Sequence, residues 1–249
     1  MLNWDCATAS DTGHERAHNE DSVRLNPVAG LMILADGMGG YNAGEVASAL
    51  AIEHAAEYLI EELVGDLPDS GLIDVVRHAI VVANTSILAA AARRPECLGM
   101  GTTIVLAAVS PGHITIGHVG DSRIYLFREG RLSRLTHDHS VGQVMIDSGV
   151  LDEQAARLSA LRGVLTRALG VEAAVDSDVR QFEWQDEDRL LLCSDGLTDM
   201  VHDLEIARIL AQAKSADEVS KELVQAALDG GGHDNVSVVL AICRGSRER

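Results

Sequence analysis

The 249-residue chain carries 38 acidic against 20 basic side chains, a formal net charge of −18. That excess repels a phosphate backbone, and two Trp, three Tyr and two Phe offer few platforms for unpaired bases, so no nucleic acid is expected as a partner. An anionic membrane surface is disfavoured on the same electrostatic ground.

Met1–Asp5 shows no basic region leading into an apolar one, and no apolar run approaches the ~20 residues of a spanning helix. Cys6, Cys97, Cys193 and Cys243 lie far apart, so a cytoplasmic location is the expectation. In chain order, Leu31–Ala35 reads as a buried strand. A helix is predicted over Ala43–Val64, with Val46, Ala49, Ala56, Ile60 and Leu63 on one side. A second begins at Leu72, where Val75, Val76, Ala79, Ile80, Ala83, Ile87 and Ala90 form a stripe. Further strands are read at Thr103–Val109, His113–Val119, Arg123–Phe127, Arg189–Cys193 and Val236–Cys243. Ser110-Pro111-Gly112 and Glu129-Gly130 act as hairpin connections. Helices over Leu204–Leu210 and Asp217–Leu228 are stopped by Gly230-Gly231-Gly232. Residues 140–170 depart from this regular pattern. Paired helices and dominant hairpins predict α+β layering over a doubly wound parallel sheet.

Acids recur beside glycine at the ends of these strands. Asp36 follows Leu31–Ala35, Asp121 follows the run ending at Val119, Asp195 follows Arg189–Cys193, and Asp234 precedes Val236–Cys243. Glu20 and Asp21 lie near the N-terminus. A carboxylate at a sheet rim is costly unless it is solvated, paired or metal-bound. Arg16 and Arg123 are the only cations close in sequence, too few to neutralise the set. Clustered carboxylates raise one another's pKa unless a cation keeps them ionised. Oxygen ligands without His or Cys spacing suit Mg²⁺ or Mn²⁺. For a single Asp-Gly, turn chemistry is an equal reading; four in one pattern favour the cation site.

The motifs then run in a recognisable order. Ser10-Asp11-Thr12-Gly13 and Arg16-x-x-Asn19-Glu20-Asp21 are followed by Ala35-Asp36-Gly37-Met38-Gly39-Gly40 and Gly99-Met100-Gly101-Thr102-Thr103. Val119-Gly120-Asp121-Ser122-Arg123, Thr136-His137-Asp138-His139-Ser140 and Leu165-Thr166-Arg167-Ala168-Leu169-Gly170 come next. Ser194-Asp195-Gly196-Leu197-Thr198-Asp199 and Gly232-His233-Asp234-Asn235 complete the set. Over nearly its whole length the chain resembles the metal-dependent PPM-type protein serine/threonine phosphatases (protein phosphatase 2C-like) in their compact bacterial form.

The resemblance implies a four-layer α-β-β-α sandwich, a central antiparallel β-sandwich flanked by pairs of helices. It implies one domain over residues 1–249, with a flap at about 140–170. It implies two Mn²⁺ or Mg²⁺ ions: Asp36 bridging, the Gly37 carbonyl completing one site, Asp195 and Asp234 holding the other. Asp21 would bind through water, with Glu20 beside it, and Asp121 with Asp195 would hold a weaker third ion. Arg16 would clamp the substrate phosphate with its planar fork. The implied reaction is attack of a metal-activated water on phosphoserine or phosphothreonine of proteins. Such a monomeric enzyme would oppose a bacterial eukaryotic-like Ser/Thr kinase. The competing reading is a catalytically weak phosphoprotein-binding module of the same fold. Degenerate members usually lose a metal carboxylate, and Asp36, Asp195 and Asp234 are all present.

Some features depart from the family or point elsewhere. Met38 stands where eukaryotic members place a histidine proposed as general acid, and Ser159-Ala160-Leu161-Arg162-Gly163 departs from the usual flap sequence. Ser237 replaces the usual Thr. His137-Asp138 and His233-Asp234 match the pair of helical metal phosphohydrolases, but strand-like runs adjoin both. Cys243 to Arg249 matches the cysteine-phosphatase spacing without the helix that chemistry requires. His14, His18 and His54 read as surface polar groups, and Asp186-Glu187-Asp188 as a solvated turn.

Overall fold

The computed structural model describes residues 4–39, 43–63, 71–110 and 112–244. Met1–Asn3, Gly40, Val64, Pro111 and Arg249, which enter the sequence reading above, lie outside the described residues.

Eleven described strands form two antiparallel sheets. The first orders β1 (Trp4–Asp11), β11 (Val236–Cys243), β10 (Arg189–Cys193), β7 (Arg123–Arg128) and β8 (Arg131–Arg134) side by side. The second orders β2 (Asp21–Asn26), β3 (Leu31–Met38), β5 (Ile104–Ser110), β6 (His113–Val119) and β9 (Asp178–Glu183), with β4 (Gly101–Thr102) on the end of β3. Side chains alternate across a strand, so a strand buried on both faces must be apolar throughout. In β3, Leu31, Ile33 and Ala35 face α1 (Ala43–Leu63) and α2 (Gly71–Arg93), while Met32 and Leu34 face the opposite sheet. In β10, Leu191 and Cys193 face α5 (Asp195–Met200), α6 (Asp203–Leu210) and α7 (Ala216–Asp229). Leu190 and Leu192 fill the space between the sheets. The α+β four-layer sandwich expected from the sequence is the observed fold.

The first helix is phased differently from the prediction. Its buried face is Ala43, Ala47, Ala51, Ala55 and Leu59, flanked by Gly44, Ser48, Ile52 and Ala56. Ala49 is exposed, and Val46, Ile60 and Leu63 lie on the margins. Small side chains let α1 approach the sheet and α2 closely, and that close packing outweighs the larger apolar residues beside it. The predicted stripe of α2 is buried from Val75 to Ile87. This helix is long and apolar enough by length and composition to cross a membrane, contrary to the expectation that no run approaches that length. Its apolar face packs on α1 and the second sheet as a core helix does.

Residues 140–170 contain α3 (Val141–Asp147) and α4 (Glu153–Leu158). Isolated bridges, Ser140 with Leu165 and Leu169 with Thr102, close its base. Arg157 donates to the Thr198 carbonyl at 2.6 Å and Arg162 pairs with Asp199 at 2.8 Å, tying the segment to α5.

The Asp186-Glu187-Asp188 turn is not wholly solvated. Asp188 is buried and accepts from Arg128 Nε at 2.7 Å, Arg128 Nη2 at 2.6 Å and the Gln185 amide at 2.8 Å. Losing charge-assisted bonds at a buried acceptor costs about 2 kcal/mol, and the half-exposed Arg128 regains water. Asp188→Ala is therefore expected to lower Tm by roughly 4–8 °C; a melt within a degree of wild type would deny the pair a structural role.

Candidate metal centre

The acids predicted from sequence converge at one rim of the sandwich. Antiparallel pairing places Asp21 of β2 directly opposite Asp36 of β3. Asp195 opens α5 at the end of β10, Asp121 lies in the β6–β7 turn, and Asp234 precedes β11. Glycine permits the close approach. A Cβ on Gly37 would strike the Gly44 carbonyl and lie 2.7 Å from that of Glu20, and one on Gly196 would strike the Asn235 carbonyl. The Asn235 side chain donates to the carbonyls of Thr12 (2.8 Å) and His18 (3.0 Å) and accepts from the Glu20 amide (2.8 Å), binding the loop before β2 to that of Asp234.

Backbone and hydroxyl groups fix the carboxylate-bearing segments. The Asp36 amide donates to Thr103 Oγ1 at 3.0 Å, and its carbonyl accepts from the Thr103 amide and from Thr102 Oγ1. Thr103 Oγ1 also meets Ser122 Oγ at 2.7 Å, linking the Asp36 and Asp121 segments through one buried hydroxyl. The sequence motifs contain Thr102, Thr103, Ser122 and Asn235 but assign them no role, which only their bonds across strands reveal.

The electrostatics are those of uncompensated anions. Burial holds the Asp36 carboxyl well above its ordinary range, and the charges of Asp21, Asp195, Asp121 and Asp234 push the same way. Asp195 is raised by burial and then by Asp121, Asp199, Asp234 and Asp21. Asp21 is pushed up to about 6, burial outweighing the hydroxyls of Ser237 and Ser194, and Asp121 to about 7 by burial and then Asp138. Glu20 is also raised, chiefly by burial, and its carboxylate lies against Gly44 at the start of α1. Arg123 is turned onto Asp138 at 2.6 Å and only partly offsets the rise at Asp121. Arg16 pairs directly with the set, its Nη2 2.6 Å from Asp234 Oδ2, and Arg162 acts on Asp195 and Asp234 through its charge.

Two carboxylate oxygens, Asp21 Oδ1 and Asp195 Oδ1, are buried without a hydrogen-bond partner. A buried orphan acceptor costs about 1–3 kcal/mol, more when charged. Hard oxygen donors, mutual repulsion and two orphaned buried oxygens fit divalent cations of the Mg²⁺ or Mn²⁺ type. A cleft of about 450 Å³ runs from Asp121 and Asp195 beneath Arg162 toward Leu204, giving access from solvent.

A second cluster fits a metal poorly. His118, His139 and Asp178 bring ligating atoms within 4.8 Å of one another. The two rings are stacked 4.7 Å apart at 18°, so their in-plane lone pairs do not converge. His139 Nδ1 accepts from the Gly120 amide at 3.2 Å, and its Nε2 is shared by Asp178 at 3.4 Å and Arg167 at 3.2 Å, so both ring nitrogens are already engaged. His137-Asp138-His139 lies in the loop between β8 and α3, not on a helix, and does not form the helical pair.

Comparison with known proteins agrees with this geometry. The family model described as protein phosphatase 2C matches residues 12–229. Serine/threonine protein phosphatase PstP of Mycobacterium tuberculosis is 40% identical over 236 residues, covering 94% of this chain but 44% of that protein. Serine/threonine phosphatase stp of Listeria monocytogenes is 36% identical over 234 residues, covering 93% and 92%. The catalytic domain of PstP in complex with two manganese ions superposes with a TM-score of 0.88 at 38% identity, covering 98% and 100%. Stp1 of Staphylococcus aureus does so at 0.87 and 33%, covering 98% and 96%.

Proposed function

The chain belongs to the protein phosphatase 2C family, and from that premise we propose that it hydrolyses phosphoserine and phosphothreonine on proteins. The observation that carries the reading is the pair of orphaned buried oxygens, Asp21 Oδ1 and Asp195 Oδ1, within a set of carboxylates with which Arg16 pairs directly at Asp234 and whose mutual repulsion outweighs the nearby cations. Asp36, Asp195, Asp234, Asp21 and the Gly37 carbonyl would hold two Mn²⁺ or Mg²⁺ ions, and Asp121 with Asp195 a third. Bound there, such ions supply positive charge and an acidified water for attack on phosphorus.

The protein's own groups do the rest. The Arg16 guanidinium, exposed at this rim beside Asp234, has a planar fork that would suit phosphoryl oxygens. Met38 offers no proton, so the leaving alkoxide takes its proton from solvent. The segment 140–170 acts as a flap roofing the cleft in which a phosphopeptide would lie. Substrates are phosphorylated proteins, a Ser/Thr kinase among them, and the domain acts as a monomer. The free cysteines, Cys6, Cys97, Cys193 and Cys243, support a reducing, cytoplasmic setting. The presence of Asp36, Asp195 and Asp234 weighs against a catalytically weak binding module.

The test is release of phosphate from p-nitrophenyl phosphate and a phosphothreonine peptide. Turnover should require Mn²⁺, and a metal-loaded protein without turnover defeats the reading. Arg16→Ala is expected to raise KM on the phosphopeptide about 10–100-fold, the loss of a charge-assisted contact, while Mn²⁺ affinity stays intact. A fall in affinity instead would move Arg16 to the metal.

A further inference from the structure

Resting on the reading that these carboxylates hold divalent cations, we propose that Ser194 is a positioning residue for Asp21. Ser194 precedes α5 with extended backbone (φ −73°, ψ 169°), the place and shape of a helix cap. The serines and aspartate that precede α3, α4 and α7 take up a helix amide: Ser140 from Gln143, Asp152 from Ala155, Ser215 from Glu218. Ser194 makes no such bond. Its hydroxyl proton is directed to Asp21 Oδ2 at 2.9 Å, and its oxygen accepts the Ser237 amide at 2.9 Å.

These bonds close a ring. The Asp21 amide donates to Asn19 Oδ1 (3.1 Å), Asn19 Nδ2 to Ser10 Oγ (2.8 Å), and Ser10 Oγ meets Ser237 Oγ (2.7 Å). Ser237 then returns through Ser194 to Asp21. Ser194 and Ser237 are completely buried, so water does not compete for these groups. With its amide held by Asn19 and its carboxylate by the hydroxyls of Ser194 and Ser237, Asp21 keeps Oδ1 buried without a hydrogen-bond partner. The serine has given up the helix end in order to set the direction of a ligand oxygen. A hydroxyl suits this better than a cation, because it orients the carboxylate without neutralising it.

The experiment is a calorimetric Mn²⁺ titration of Ser194→Ala, alone and combined with Asp21→Asn, beside melts of the metal-free proteins. Removing a group that orients a ligand typically weakens metal affinity about 10–100-fold. Ser194→Ala should do so, Ser194→Thr should restore much of the loss, and Ser194→Ala should add little in the Asp21→Asn background. An unchanged Mn²⁺ affinity, or losses that simply add, overturns the proposal, as does an equal drop in Tm with and without Mn²⁺. If the alanine variant does not fold, Ser194→Cys, a weak donor of similar size, reads the same loss. Asp36→Asn separates the two levels: wild-type Mn²⁺ affinity there removes the metal reading itself. Loss there with normal affinity in Ser194→Ala removes only the role of Ser194.

Discussion

Asp36→Asn is expected to abolish Mn²⁺-dependent turnover and at the same time to raise the melting temperature of the metal-free protein. Asp36 is partly buried, and its ionised form is opposed by desolvation and by four neighbouring acids. A neutral amide of nearly the same shape removes that repulsion and offers two donors to the carboxylates around it. In a protein of this size each kcal/mol relieved raises Tm by about 2–4 °C. Catalysis moves the other way, because the amide no longer attracts a cation. The drop in kcat should be at least on the order of 10²-fold, the usual cost of one preorganised charge-stabilising group. Phosphate release and an EDTA-treated melt at about pH 8 read both signs. A variant that keeps wild-type turnover would place the reaction elsewhere, and one that melts lower without metal would show the carboxylate to be structural.

Removing divalent ions should make stability fall as the pH rises. Asp21 and Asp121 titrate near 6 and 7 in the folded protein against an ordinary 3.8. Between 3.8 and those values the folded state binds more protons than the unfolded chain, so stability declines with pH. The favourable contribution is complete below about 3.8 and gone above about 7. Metal binding has the opposite dependence, since its ligands must lose their protons. The Mn²⁺-induced rise in Tm should therefore grow between about pH 5 and about pH 8. With the ion at about 100 times its Kd it adds about 2.7 kcal/mol, roughly 5–10 °C. Asp121→Asn should flatten the slope of the metal-free protein. A Mn²⁺ effect independent of pH would show that these carboxylates are not its ligands.

Much of the fold was legible where burial leaves one choice. A strand covered on both faces is apolar almost throughout, and Leu31–Ala35, Leu190–Cys193 and Val238–Cys243 declare themselves on that ground. The strands β1, β2, β8 and β9 carried no such run. β2 and β8 are wholly partly buried or exposed, and Thr8, Ser10, Asp178 and Arg180 interrupt the others, so their pairing follows from neighbours. The α1 phase was misread because its buried face is chosen by closeness of approach, which favours alanine, and hydrophobicity alone does not rank alanine first.

The site divides along the same line. Asp36, Asp121 and Asp195 each stand beside glycine at the end of an apolar run, Asp234 stands two residues after Gly232 and just ahead of one, and the order of these motifs along the chain identifies the family. The sequence by itself therefore determined the α+β layering and the family, and with them the residues proposed as ligands. Tertiary structure alone decided which acids share a field, because Asp21 meets Asp36 only through strand pairing. It turned Arg123 onto Asp138 and brought Arg16 to Asp234 across 218 residues. It withdrew Asp188 from solvent onto Arg128 and gave the Ser194 hydroxyl to Asp21 instead of to its own helix. Charge repulsion and hydrogen bonding act at distances of a few ångströms, so residues far apart in the chain acquire these roles only once folding has brought them together.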